Sequence, residues 1–220
     1  MHKWGKFGVM FVDTRGSRSL GFETFYSGSL PGIVIPGHFI GERQRLLINA
    51  ALKPEGLFGD CQTLIVVNSM PVCYMSTGVA SCLECCMKDK MGMALSPDEQ
   101  GHYLDALTNW VSGGNRDALI VAGDLHFGIR SQIRDPNSAV VLRQMVTSAI
   151  SNKPPNCLVS CLLRCFCMSD CCSATGGTHH FRHTQKLYDF NYGTIRMSLP
   201  HPPSQPKATI TECLVSRRSE

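Results

Sequence analysis

Long apolar runs, blocks of like charge and internal repeats are all missing from this 220-residue sequence. The longest apolar stretch away from the N-terminus, around Cys157 to Met168, is broken by Arg164 and falls short of the ~20 residues that cross a bilayer. No transmembrane segment is expected. The opening MHKWGKFGVMFVD starts with basic residues, but its apolar run stops at Asp13 without a small-residue cleavage site, so it reads as a strand and not as a signal peptide. Charge is sparse at 17%, and the longest basic run is Arg217-Arg218. A net charge of +4 spread over such a chain gives little footing for nucleic acid, and none is expected as a partner; a small anionic substrate suits the balance equally well. Hydrophobic residues at 43% exclude a disordered chain.

Cysteine is plentiful, with twelve residues, yet no export signal accompanies them and their clusters are irregular. Reduced thiols in an intracellular, cytoplasmic setting are therefore expected in place of a disulfide framework. Cys157, Cys161 and Cys165 fall at spacing of four, as buried thiols on one helix face would. A structural zinc through Cys82-x-x-Cys85 lacks a compact second Cys-x-x-Cys and is the lesser reading.

The periodicity predicts an α/β fold in one domain over residues 1–198, followed by a disordered tail over 199–220 that starts in a proline-rich stretch. Phe7 to Asp13 is an apolar strand ending in the polar run Asp-Thr-Arg-Gly-Ser-Arg. Glu42 to Leu52 places Leu46, Leu47, Ala50 and Ala51 at helical spacing before Pro54. Thr63 to Asn68 reads as a buried strand, stopped near Pro71. Ser96-Pro97-Asp98-Glu99 has the form of a capping box with proline at the first helical position, and Gly113-Gly114 ends that helix. Ala118 to Ala122 is a third buried strand, leading into Gly123-Asp124-Leu125-His126. Further strands are expected at Gly128 to Ile133, Val140 to Ile150 and Tyr192 to Ser198.

The chemistry centres on Gly-Asp-Leu-His. In an extended segment Asp124 and His126 project together while Leu125 turns back into the core, offering one oxygen and one nitrogen donor to a metal. Arg15 and Arg18, in the polar run after the first strand, could brace two loops against each other. The run His179-His180-Phe-Arg-His183 reads first as exposed loop histidines and second as a lining for a phosphate pocket, through His180 and His183.

Taken in order, several stretches resemble the PhoD-like phosphatases of the calcineurin-like metallophosphoesterase superfamily. They are Lys6 to Arg18 with its Asp-Thr-Arg-x-x-Arg element, Gln62 to Pro71, the helix reaching Trp110, Ala118 to His126, Gln144 to Ser148, and Asn191-Tyr192-Gly193. The resemblance implies a layered β-sandwich flanked by helices, with divalent or trivalent metal ions (Ca, Fe, Mn or Zn) at the strand ends and a phosphoester small molecule as substrate. It carries metal-ligand roles to Asp124, His126 and Asp13, and catalytic phosphate-holding roles to Arg15 and Arg18. The family draws further ligands from an earlier Gly-Asp strand end. Here Gly59-Asp60 precedes a strand instead of following one, so the ligand set reads as incomplete at its N-terminal side. The expectation is a partial or weakly active phosphoester hydrolase domain, or a catalytically silent relative of one.

Overall fold

The computed structural model describes residues 1–16, 39–76, 79, 93, 96–135, 137, 139–147, 173–174, 178–188, 190–198 and 209–216. Its centre is an eight-stranded mixed sheet. In chain order the strands are β1 (His2–Trp4), β2 (Phe7–Val12), β3 (Thr63–Asn68), β4 (Asp117–Ala122), β5 (Gly128–Arg134), β6 (Val141–Val146), β7 (Ser173–Ala174) and β8 (His180–Leu187). They lie side by side as β1-β2-β3-β4-β6-β5-β8-β7, with β2, β3, β4 and β6 parallel and the remaining pairings antiparallel. Two helices, α1 (Glu42–Leu52) and α2 (Pro97–Ser112), are found among the described residues. A hairpin of β9 (Asn191–Ser198) and β10 (Thr209–Ser216) forms a second, two-stranded sheet. None of the described helices is long and apolar enough to cross a membrane.

Side-chain alternation sorts these pieces into layers. On β2 and β3, Met10, Val12, Leu64 and Val66 face the helices and pack with Ile48, Leu52, Leu104, Leu107 and Trp110. Gly8 leaves room there, since a Cβ at that position would sit 2.6 Å from the Phe58 ring. On the opposite face Ile65, Leu119 and Met145 meet Ile210 and Leu214 of β10. The near-continuous apolar runs of β3 and β4 follow from this burial on both sides.

Three sequence expectations change here. The segment placed in a disordered tail supplies β10, where Ile210, Glu212 and Leu214 alternate as buried positions with exposed ones. Its inward carboxylate, Glu212, is held by Arg143 and, at 3.1 Å, by Arg130, and Arg143 also reaches Asp117 at 2.5 Å. The helix α2 starts at Pro97 after Ser96 as expected, but Ser96 makes no side-chain cap bond. Glu99 turns instead to the segment before α1. There it accepts the backbone N–H groups of Phe39, Ile40 (3.0 Å) and Gly41 (3.1 Å). The carboxylate thereby takes three charge-assisted amide bonds, where reciprocating the Ser96 backbone would give it one. Gly41, at φ +78°, turns the chain into α1. The strand expected over Val140 to Ile150 is seen as Val141–Val146, with 148–150 outside the described residues.

Past β3 the chain runs through the core without regular structure. Met70, Val72, Cys73, Tyr74 and Met75 are all buried, so their backbone polar groups need partners other than water. Side chains from three elements and one strand-end loop supply them. Gln144 of β6 accepts from the N–H of Val72 (2.8 Å) and Cys73 (3.1 Å) and donates to the Cys73 carbonyl. Gln100 donates to the Val72 carbonyl (2.6 Å), and His183 of β8 to that of Tyr74 (3.0 Å). Thr14, just beyond β2, accepts from the Met70 N–H (3.2 Å). Burial pushes the Cys73 thiol far above its ordinary range, so it stays protonated.

Candidate functional site at the ends of the parallel strands

Parallel register brings three strand ends into one row. Val12 pairs with Asn68 and Asn68 with Ala122, so the chain emerges from β2, β3 and β4 side by side. In an open α/β sheet the carboxyl ends of parallel strands are where ligands gather, because connecting loops there can vary without disturbing the core. The polar residues Asp13, Arg15, Ser69 and Asp124 all follow these ends.

The first of the three ends is built as a turn. The Asp13 carboxylate accepts the backbone N–H of Arg15 (2.9 Å) and of Gly16 (2.8 Å). These two donors, Gly16 foremost, hold its pKa below the usual carboxylate range. Gln44 of α1 clips the same residue in place, accepting its N–H (2.8 Å) and donating to its carbonyl (2.8 Å). Thr14 points the other way, is fully buried, and shares a hydrogen bond with the Ser69 hydroxyl that ties β2 to β3. With its neighbours fixed, Arg15 projects across the end of β3, and its Nη2 donates to Asp124 Oδ2 at 2.5 Å. Arg15 is thus delivered to the edge that carries Asp124.

The Gly123 to Phe127 stretch is not the extended segment that alternation assumed. Asp124 and His126 adopt left-handed backbone at φ 72° and 59°. Such conformations cost about 1–2 kcal/mol for a residue with a Cβ, less for Asp with its short polar side chain. They curl the chain at the strand end, while Leu125 does turn inward, against the cluster of Tyr74, Met75, Ala122, Phe127, Ile129 and Val146. Phe127 also stacks on Tyr188, with centroids 5.8 Å apart. His126 is half-buried beside this anchor.

Arg18, Cys82, Cys85, Cys157, Cys161 and Cys165 fall outside the described residues. His180 is exposed at the start of β8 and pairs with Arg134, which in turn pairs with Val141 at the start of β6. That is the far end of the sheet from Asp124, so the structure does not bring His180 to this edge. His183 sits in mid-strand, buried, donating from Nε2 to the Tyr74 carbonyl and with Nδ1 2.8 Å from the Ser131 hydroxyl. Both ring nitrogens are thereby engaged in the core. The exposure expected of this run holds for His180, which lies in β8 and not in a loop, and gives way for His179 and His183, which are buried.

His179 meets Thr108 Oγ1 through Nε2 (3.1 Å) and lies 3.7 Å from Asp105 through Nδ1. Burial lowers its pKa below the ordinary 6.5, helped slightly by His180 and opposed by Asp105 and Asp135. Between that lowered value and 6.5 the unfolded chain binds a proton that the folded chain refuses. Stability from this group is therefore complete above pH 6.5 and declines on acidification below it. Urea midpoints at pH 7 and pH 5.5 are expected to differ less for His179→Gln than for the wild type; equal differences would show that other groups carry the acid sensitivity.

A hydrolytic metal centre needs several convergent donors. Among the described residues no group of three or more His, Cys, Asp or Glu side chains stands in a metal-holding arrangement. The two carboxylates at the edge are already engaged, Asp13 by its own turn and Asp124 by a guanidinium. The described residues thus do not by themselves form a donor set for the metal ions that the family resemblance implies. No family model, curated protein or solved structure matches the chain.

Sequence reasoning placed Asp13, Arg15 and Asp124 but passed over Thr14, Gln44 and Ser69, which position them. Thr14 carries a faint signal, since it is the one β-branched residue of its polar run.

Proposed function

We propose that this chain is a PhoD-like, metallophosphoesterase-type domain in a partial form, which engages a phosphoester at the ends of β2 and β4 and turns it over weakly. The observation that carries this reading is the meeting of Arg15 and Asp124 beyond the parallel strands. A guanidinium at such an edge has the geometry to take a phosphate oxygen, and Asp124 belongs to the Gly-Asp-x-His stretch on which the resemblance rests. No chemical step is assigned to a metal, because the described residues do not by themselves form a group of three or more donors. The engagement of Asp124 by Arg15 also favours a second reading, in which the domain binds phosphoesters and is catalytically silent.

Hydrolysis of a chromogenic phosphoester by the 220-residue chain, with added Ca²⁺, Mn²⁺, Zn²⁺ or Fe³⁺, separates these readings from a complete enzyme. Turnover close to the uncatalysed rate is expected with every metal. Robust metal-dependent turnover that vanishes in Asp124→Ala would overturn the partial form and reveal a centre completed by other residues.

A further inference from the structure

We propose that Asp124 acts as an internal competitor at the strand-end site, occupying the Arg15 guanidinium that a phosphate oxyanion would otherwise take. This rests on the phosphate-binding reading above and assigns Asp124 a role opposite to that of a ligand-recruiting residue. Three observations lead to it. Asp124 meets Arg15 through one nitrogen, Nη2, whereas a guanidinium fork is made to grip an oxyanion with two parallel N–H groups. The pair lies at the surface, with side chains 57% and 33% exposed, so solvent and added anions reach it and the contact is weakly held. Among the described residues the edge also carries two carboxylates, Asp13 and Asp124, against one guanidinium, that of Arg15. Asp13 is committed to its turn, which leaves Asp124 as the carboxylate that can swing aside.

A phosphate approaching Arg15 must therefore displace one negative group and tolerate another nearby. Removing the competing charge should strengthen binding, whereas loss of a residue that recruits the ligand would weaken it. Asparagine is the suitable replacement, because it keeps the shape and is at ease in the left-handed backbone that residue 124 adopts.

The test is titration of the full chain with inorganic phosphate by calorimetry at low ionic strength, for the wild type, Asp124→Asn, Arg15→Gln and the double variant, with thermal melts confirming that each folds. Asp124→Asn is expected to tighten phosphate binding by about 3–10-fold, the range expected from releasing an exposed ion pair and its repulsion. Arg15→Gln is expected to abolish that gain. Binding by Asp124→Asn that is equal to or weaker than wild type, while Arg15→Gln still loses it, would overturn the competitor role and leave the phosphate site standing. A gain that survives Arg15→Gln would overturn it as well. Absence of phosphate binding in all four proteins would instead remove the phosphate reading of the edge itself.

Discussion

Replacing Gln144 with methionine is expected to destabilise the fold by about 3 kcal/mol or more, because each of the backbone groups it leaves buried without a partner costs about 1–3 kcal/mol. Those groups are the N–H of Val72, the N–H of Cys73 and the Cys73 carbonyl. Methionine fills nearly the same volume, so packing changes little and the loss reports on the hydrogen bonds. Chemical denaturation should show a lower urea midpoint with an unchanged slope. The melting temperature should fall by roughly 6–12 °C for a chain of this size. A change below about 1 kcal/mol would mean that the segment after β3 finds other partners once Gln144 is gone. The effect is large because one side chain serves a stretch of chain that has neither a strand nor a helix to satisfy it.

Glu212→Leu is expected to cost about 3–5 kcal/mol, the range for breaking a buried ion pair from one side. Glu212 is nearly inaccessible, with 6% of its side chain exposed, and it answers two arginines, Arg130 and Arg143. Asp117 balances Arg143 from β4, so the cluster is neutral only while Glu212 is present. Its burial also makes the cost insensitive to added salt, unlike that of an exposed pair such as Lys6 with Asp60. Pairing Glu212→Leu with Arg143→Met should recover part of the loss, since two apolar groups of similar bulk commonly replace a buried pair without penalty. Urea unfolding of the two single variants and the double variant measures this as a coupling energy. A cost under 1 kcal/mol for Glu212→Leu would show that the cluster does not anchor the hairpin.

The elements that could be read from sequence are those whose burial is written into local pattern. Thr63–Asn68 and Asp117–Ala122 are short apolar runs because both faces of the sheet are covered there. Ser96-Pro97 marks the start of α2 whatever lies around it. The strand Thr209–Ser216 was obscured by the prolines before it and by a buried glutamate, which is intelligible only once Arg130 and Arg143, 82 and 69 residues distant, are in place. Glu99 has the right spacing for a local cap and is drawn instead to amides some 60 residues away. At the candidate site, Arg15 and Asp124 were legible as polar strand ends, and their pairing followed from parallel register. The left-handed turns at Asp124 and His126 were not, because they are imposed by the anchoring of Leu125 and Phe127 in the core.

The grip of Glu99 on residues 39–41 also bears on assembly at the ribosome. Glu99 leaves the exit tunnel 58 residues after Gly41, roughly 3–12 s later at about 5–20 residues per second. Throughout that interval the amides leading into α1 have only water to meet them. Strands β4 and β6, which complete the parallel row, follow α2 still later in synthesis. The nascent N-terminal portion thus waits, unfinished, for a helix encoded downstream, and a pause in translation before Glu99 would prolong the exposure of the apolar face that α1 and β2 share.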